Sequence, residues 1–175
     1  MHLVRLDQTF DRWDELLDLI LRSFAYMDGR IDPPSSALRL TPATLVEKAG
    51  LEIGFVALDG AHLVGCVFCR PEGGSLYIGK LAVLPETQGK GIGRRLLAGA
   101  EETARDLGLS SLRLETRIEL EENHAVFSAW GFVKTAENAH AGFGRTTSIE
   151  MRKPVRPAPP LSATEEPGSA ADGRR

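Results

Sequence analysis

No run of about 18 uninterrupted apolar residues exists in the chain, and its most apolar stretch, Leu16 to Phe24, carries Asp18 and Arg22, so no membrane span is expected. A charge excess is missing too. The 175 residues hold 21 basic and 24 acidic side chains, a net charge of −3. That balance is too small for nucleic acid or an anionic membrane to be the main partner. Arg5 and Asp7 stand where a signal peptide needs an apolar core, so the expected location is cytoplasmic. Cysteine is scarce: Cys66 and Cys69 are the only two, inside an apolar run that reads as a strand. Residues three apart on a strand point to opposite faces, and no second ligand pair for zinc is present. Two small buried thiols and no metal site are therefore expected. The motifs G-x-S-x-G and H-E-x-x-H are absent as well, which leaves hydrolase and metalloenzyme chemistry without a foothold.

What remains is ample material for one core, since a chain of roughly 150 residues buries about 68–70% of its unfolded surface. Five of the ten prolines (Pro154, Pro157, Pro159, Pro160 and Pro167) crowd into a segment without aromatics. The expected organisation is one domain over 1–153 and a proline-rich, disordered tail over 154–175.

Along the domain, His2 to Leu6 alternates as a short strand, and Trp13 to Phe24 has helical spacing with Thr9 or Asp11 as caps. Met27 to Pro42 is loop, and Ala43 to Ala49 is a short second helix. Ile53–Leu58 and Ala61–Cys69 form a hairpin about Asp59-Gly60, and Gly73-Gly74 turns the chain into Leu76–Val83. Ile92, Leu96, Leu97, Ala100, Ala104 and Leu107 make one helical stripe ending at Gly108. Ser111–Ile118 alternates, with Arg113, Glu115 and Arg117 on its polar side. A helix over about Glu121–Trp130 and closing strands at Phe132–Glu137 and Thr146–Arg152 complete the order β-α-α-β-β-β-α-β-α-β-β. The class is α/β (α+β), with a mixed sheet.

The segment most suggestive of chemistry runs from Leu81-Ala82-Val83 through Gln88-Gly89-Lys90-Gly91-Ile92-Gly93-Arg94-Arg95. A strand ends, and glycine-rich backbone opens directly into a helix. Free N–H groups and the positive dipole end there suit an anion. The spacing is neither the dinucleotide fingerprint G-x-G-x-x-G nor a Walker A loop, because Gly93 comes one residue early and no Ser or Thr follows Lys90. On spacing alone, a plain glycine turn feeding an ordinary helix stands beside the anion site.

Gln88-Gly89-Lys90-Gly91-Ile92-Gly93 resembles the Q/R-x-x-G-x-G/A pyrophosphate loop of GNAT-type N-acetyltransferases. Leu81-Ala82-Val83-x-Pro85, Leu112-x-Leu114-Glu115-Thr116 and Ala125…Trp130-Gly131-Phe132 are similar to that family's fourth strand, fifth strand and fourth-helix end. The resemblance implies a mostly antiparallel central sheet flanked by helices, with a V-shaped splay between strands four and five. It also implies acetyl-CoA as cosubstrate. The pyrophosphate would rest on Gln88, Gly89, Lys90, Gly91, Ile92, Gly93 and Arg94, and the pantetheine arm would pair with Leu81, Ala82 and Val83. Asn123 and Phe127 are expected beside it.

By the same resemblance, Glu115 occupies the place of the catalytic glutamate of ribosomal-protein N-terminal acetyltransferases, and Tyr77 that of the glutamate in histone acetyltransferases. A solvated strand glutamate and a core tyrosine are the plain alternatives. Tyr26, Asp28 and Asp32 are candidates for drawing in an amine, in a loop that reads equally as a connector. Phe127 departs from the family, which often carries a tyrosine there to protonate the CoA thiolate, and His124 is the nearest substitute. The expected reaction is acetyl transfer to a primary amine of a small molecule or peptide by direct attack in a ternary complex. The alternative, raised by Phe127, is a CoA-binding module of the same fold without turnover. Closing strands of this kind are compatible with a homodimer but do not demand one.

Overall fold

The computed structural model describes residues 1–161. Its strands are β1 (His2–Arg5), β2 (Ile53–Asp59), β3 (His62–Glu72), β4 (Ser75–Val83), β5 (Ser111–Arg117), β6 (Val133–Asn138) and β7 (Ser148–Pro154). The helices are α1 (Trp13–Phe24), α2 (Pro42–Leu51), α3 (Ile92–Asp106) and α4 (Glu121–Ala129). Short 3-10 turns occupy Ala25–Met27, Ser36–Arg39 and Pro85–Thr87. The order matches the sequence pattern element for element. Ends differ where capping, rather than apolar spacing, sets them. α1 keeps the expected bounds, but Arg12, and neither Thr9 nor Asp11, precedes it, with no side-chain cap. α2 starts earlier than expected because Thr41 and Thr44 form a reciprocal capping box with Pro42 in the first turn.

The seven strands form one sheet in the order β1-β2-β3-β4-β5-β7-β6. All neighbours are antiparallel except β4 and β5. That parallel contact lasts only from Ser75–Ser111 to Ile78–Leu114, although β4 continues to Val83 and β5 to Arg117. Beyond Ile78 and Leu114 the two strands diverge. A bulge in β4 aids the divergence: Cys66 pairs with Ala82 but Phe68 with Gly79, so Lys80 and Leu81 together face Val67. Lys80 takes φ +47°, a left-handed value that lysine adopts at a cost.

Two apolar layers cover the sheet. One packs Ile92, Leu96, Leu97, Ala100 and Ala104 of α3 against Val67, Leu76, Leu112 and Met151. The other packs Leu16, Leu19 and Ile20 of α1 and Leu45 of α2 against Val56, Cys66 and Phe68. Leu107, expected in the α3 stripe, stands 50% exposed past the helix end. Cys66 lies in one layer and Cys69 in the other, as strand alternation requires, and burial pushes both thiols up to about 12. At the C-terminal side the packed chain runs two residues past the expected boundary. Pro154 ends β7, and Val155 is buried with its N–H donating to Ser110 O at 2.9 Å. The expected disordered tail lies, from residue 162 on, outside the described residues.

Candidate active site

The glycine loop folds as a short bridge from the sheet into α3. Gly89 and Gly91 take φ of +80° and +78°, where a side chain would be strained, and a Cβ on either would meet open space. Gly93 is needed for closeness instead. A Cβ there would lie 3.1 Å from Trp130 Cη2, so its bareness lets α3 start against the end of α4. Among the described residues, the backbone N–H groups of Gly89, Lys90, Gly91, Ile92, Gly93 and Arg94 donate to no protein acceptor. Gln88 does not share in this, because its N–H closes the preceding turn onto Pro85 O at 3.3 Å. The helix dipole contributes about 0.3–1 kcal/mol to an anion placed here, so the converging N–H groups carry most of the recognition.

These amides open onto a cavity of about 510 Å³ whose walls include Leu81, Ala82, Val83, Gln88, Gly89, Gly91, Ile92, Gly93, Arg94, Asn123 and Phe127. Of the residues expected to hold the cosubstrate, Lys90 alone does not line it. Arg95 also faces elsewhere, onto a smaller neighbouring cavity with Glu101 and Lys153. The donor set fits acetyl-CoA: an amide nest for a pyrophosphate at one end, then a β4 edge released from β5 along which an extended amide-bearing arm can pair.

A second cavity of about 490 Å³ lies across the splay and shares Phe24, Tyr26, Leu81, Asn123 and Phe127 with the first. The shared residues form a throat. Asn123 Nδ2 donates to Tyr26 Oη at 3.0 Å, tying α4 to the turn after α1 across that throat. Phe127 sits there against Trp130 and Phe132, with ring centroids 5.9 Å from each, and presents no exchangeable proton. His124 does not replace it, because its Nε2 lies 2.8 Å from Arg117 O and it lines neither cavity.

Glu115 and Tyr77 both reach the second cavity. Glu115 stands just beyond the last β4–β5 pair, its Oε1 accepting from Asn138 Nδ2 at 2.9 Å. Arg113 approaches Glu115 only to 3.7 Å, because its guanidinium is held by Glu72 at 2.6 Å and Glu150 at 3.2 Å. The Glu115 carboxylate is thus oriented without being locked in a tight ion pair. Tyr77 lies between the guanidinium groups of Arg70 and Arg113, 4.3 and 4.6 Å from its ring centroid. Burial, and then the Glu115 charge, push its phenol above the ordinary tyrosine value, so it is a proton donor at neutral pH and not a base.

The acidic loop residues are not at this cavity. Asp28 lines neither space, and Asp32 faces away with its carboxylate 3.3 Å from Arg145. Local composition suggests an amine-attracting mouth; a cation 113 positions along the chain neutralises half of it. In their place stand Arg39, Lys80 and Arg117, which the sequence does not single out, together with His140. Burial, with Lys48 and Arg39 adding to it, pushes the Lys80 ammonium down to about 8. Burial and then Arg117 hold the His140 imidazole below its ordinary value, neutral at pH 7. The one sequence hint is the Arg-Glu-Arg alternation in β5, whose polar face turns toward a cavity only because β4 leaves it.

A sheet split between strands four and five, with an amide-lined helix start beside the split, defines a class, and the sequence comparisons agree with it. The family model described as Acetyltransferase (GNAT) family matches residues 13–132, and the chain belongs to that family. The IAA acetyltransferase of Azospirillum brasilense is 33% identical over 153 residues, covering 84% of this chain and 97% of that protein. N-alpha-acetyltransferase 30 of Schizosaccharomyces pombe is 31% identical over 88 residues, 47% of this chain and 59% of that protein's length. In fold, the chain resembles an aminoglycoside 6'-N-acetyltransferase solved with coenzyme A, at TM-score 0.71 and 19% identity, over 91% of this chain and 99% of that one. Membership of that family supports acetyl transfer in general, and the solved neighbour shows the fold. No described helix is long and apolar enough to cross a membrane.

Proposed function

We propose that the protein transfers the acetyl group of acetyl-CoA to the primary amine of a small molecule or peptide, by direct attack while both substrates are bound. The observation that carries this reading is the pair of cavities joined at a throat, one against the free loop amides and the other ending at Glu115. Acetyl-CoA supplies an activated thioester carbonyl. The chain's own part is to hold that group at the splay, exclude water with Leu81 and Phe127, and manage two protons. An amine of pKa near 10.4 costs about 4.6 kcal/mol to neutralise at pH 7, at 1.36 kcal/mol per unit. Glu115 takes that proton, directly or through water, as the amine nitrogen bonds to the carbonyl carbon and the C–S bond breaks. The departing thiolate, of pKa about 8.5, leaves without an obligatory acid, which makes Phe127 compatible with turnover. Direct attack is favoured over an acetylated cysteine because Cys66 and Cys69 are buried and held as thiols.

The test is release of CoA thiol against a panel of amines, with Glu115→Gln beside the unaltered protein. Turnover of the variant falls by about 10²-fold or more, the usual contribution of a general base. The loss is greatest below the amine's pKa. Identical pH–rate profiles for the two proteins remove Glu115 as the base. Intersecting rather than parallel initial-velocity lines are expected for a ternary complex. Acetyl-CoA binding without thiol release from any amine marks the chain as a binding module instead.

A further inference from the structure

The acceptor-side cavity carries more positive charge than an amine substrate alone requires. Arg39, Lys80 and Arg117 reach it from three separate segments: the 3-10 turn Ser36–Arg39, the β4 bulge and the end of β5. Among the described residues, none of the three has a carboxylate within 4.0 Å, whereas the nearby Arg145 is paired with both Asp32 and Glu119. Lys80 Nζ donates only to Ser36 Oγ, at 2.6 Å. Arg117 Nη2 donates to Pro34 O at 3.2 Å, while its Nη1 is closed off from solvent with no acceptor at all. That nitrogen is sealed in the cavity wall, within the fields of Glu119 and Asp32, so the donors offered to a ligand are those of the Lys80 ammonium and of the part of Arg117 that lines the cavity. Lys80 is aimed there by backbone strained to positive φ, which the fold retains at the bulge. Mutual repulsion shows in the charges themselves: Arg39 and Arg117 both help hold the Lys80 ammonium below its ordinary value.

These cations cannot serve the cosubstrate's phosphates, since none of them lines the cavity against the glycine loop. The one carboxylate on the acceptor cavity, among the described residues, is Glu115. The cavity therefore has a basic region with unspent donors and a separate acidic point. We infer that the acceptor carries an anionic group beside its amine, an amino-acid-like zwitterion, with the anion held by Lys80 and Arg117, Arg39 at the rim, and the amine at Glu115. Resting on the acetyl-transfer reading, this adds the substrate class: carboxylate- or phosphate-bearing amines are taken, and polycations such as aminoglycosides and polyamines are refused.

The experiment compares matched amines with the full chain: α-amino acids, their carboxamides, the decarboxylated amines, O-phosphoethanolamine, and spermidine as polycation. The expected result is a kcat/KM for the carboxylates at least 10-fold above their carboxamides, carried mainly by KM. Arg117→Gln and Lys80→Met each erase most of that preference, with acetyl-CoA affinity as the control for folding. A preference for O-phosphoethanolamine over all carboxylates identifies the anion as phosphate. A second readout needs no turnover: calorimetric binding of N-acetyl amino acids, against their amides, to the protein saturated with CoA. Carboxamides equal to carboxylates in both readouts, or spermidine as the best acceptor, overturns the inference while leaving acetyl transfer intact. Conversely, no turnover of any amine but Arg117-dependent binding of N-acetyl carboxylates refutes acetyl transfer and sustains the anion site.

Discussion

One methyl group, added at two different glycines, should move stability in opposite directions. Gly65 lies in β3 opposite Val83, beneath the strand edge that leads into the glycine loop. A Cβ there would stand 2.9 Å from the Ala82 carbonyl oxygen and 3.0 Å from both Ile92 Cγ2 and Leu96 Cδ1. The carbonyl belongs to a paired strand and the two side chains to the buried face of α3, so no single flexible group can give way. Overpacking of this kind costs about 1–3 kcal/mol. At roughly 2–4 °C per kcal/mol for a chain of this size, Gly65→Ala lowers Tm by about 2–12 °C. Gly50, in the last turn of α2, has nothing within 4 Å of the same atom. There the substitution removes only glycine's entropic penalty and raises stability by about 0.5–1 kcal/mol. Thermal melts of both variants read the two signs, and calorimetric titration with acetyl-CoA reads the consequence. Gly65→Ala, by prising Ala82 from α3, weakens acetyl-CoA binding, whereas Gly50→Ala does not. A Gly65→Ala protein melting within about 1 °C of the parent and binding normally would show that the strand and helix are not in register-critical contact, and would refute the reasoning.

Three other substitutions probe the site. Gly91→Glu puts bulk and like charge into the amide nest at φ +78°; acetyl-CoA affinity drops at least 100-fold, while the conformational cost to folding stays near about 1–2 kcal/mol, and unchanged affinity refutes the loop assignment. Phe127→Tyr places a phenol of ordinary pKa near 10 at the throat; kcat rises several-fold at neutral pH and gains an alkaline limb in its pH profile, and no change there means that leaving-group protonation is not limiting. Lys80, pushed down to about 8, is charged in the folded protein at pH 7 at the expense of stability. The folded state sheds this proton before the unfolded chain does, so stability rises between about pH 8 and 10.5. Lys80→Met lacks that rise, and its advantage in denaturant midpoint at pH 7 shrinks across the same window; a growing advantage contradicts the assignment.

Much of this architecture is legible in the sequence because it is written in local periods. The stripe Ile92–Ala104, the hairpin at Asp59-Gly60 and the alternation of Leu112, Leu114 and Thr116 each need only neighbours a few positions away. The glycine loop is legible for the same reason. The bulge at Lys80 is not, since it arises from the register of β4 on β3 and leaves no mark in composition. Charge misleads wherever its partner is distant: Asp32 meets Arg145, and Arg113 is satisfied by Glu72 and Glu150. Arg117 reads as solvated strand decoration because sequence shows which side of β5 it occupies, but not that β4 turns away and leaves a cavity there.

The two sides of the throat are built from different materials, and that sets how freely each can be rewritten. The end proposed for the phosphates is made of main-chain amides, so what has to be inherited there is backbone geometry, with positive φ and no side chain at Gly89 and Gly91. The acceptor end is made of side chains from three unconnected segments, each replaceable without touching the others. On the proposed reading, a handful of changes at Arg39, Lys80 and Arg117 would therefore give this chain a new range of acceptors while its donor stayed the same.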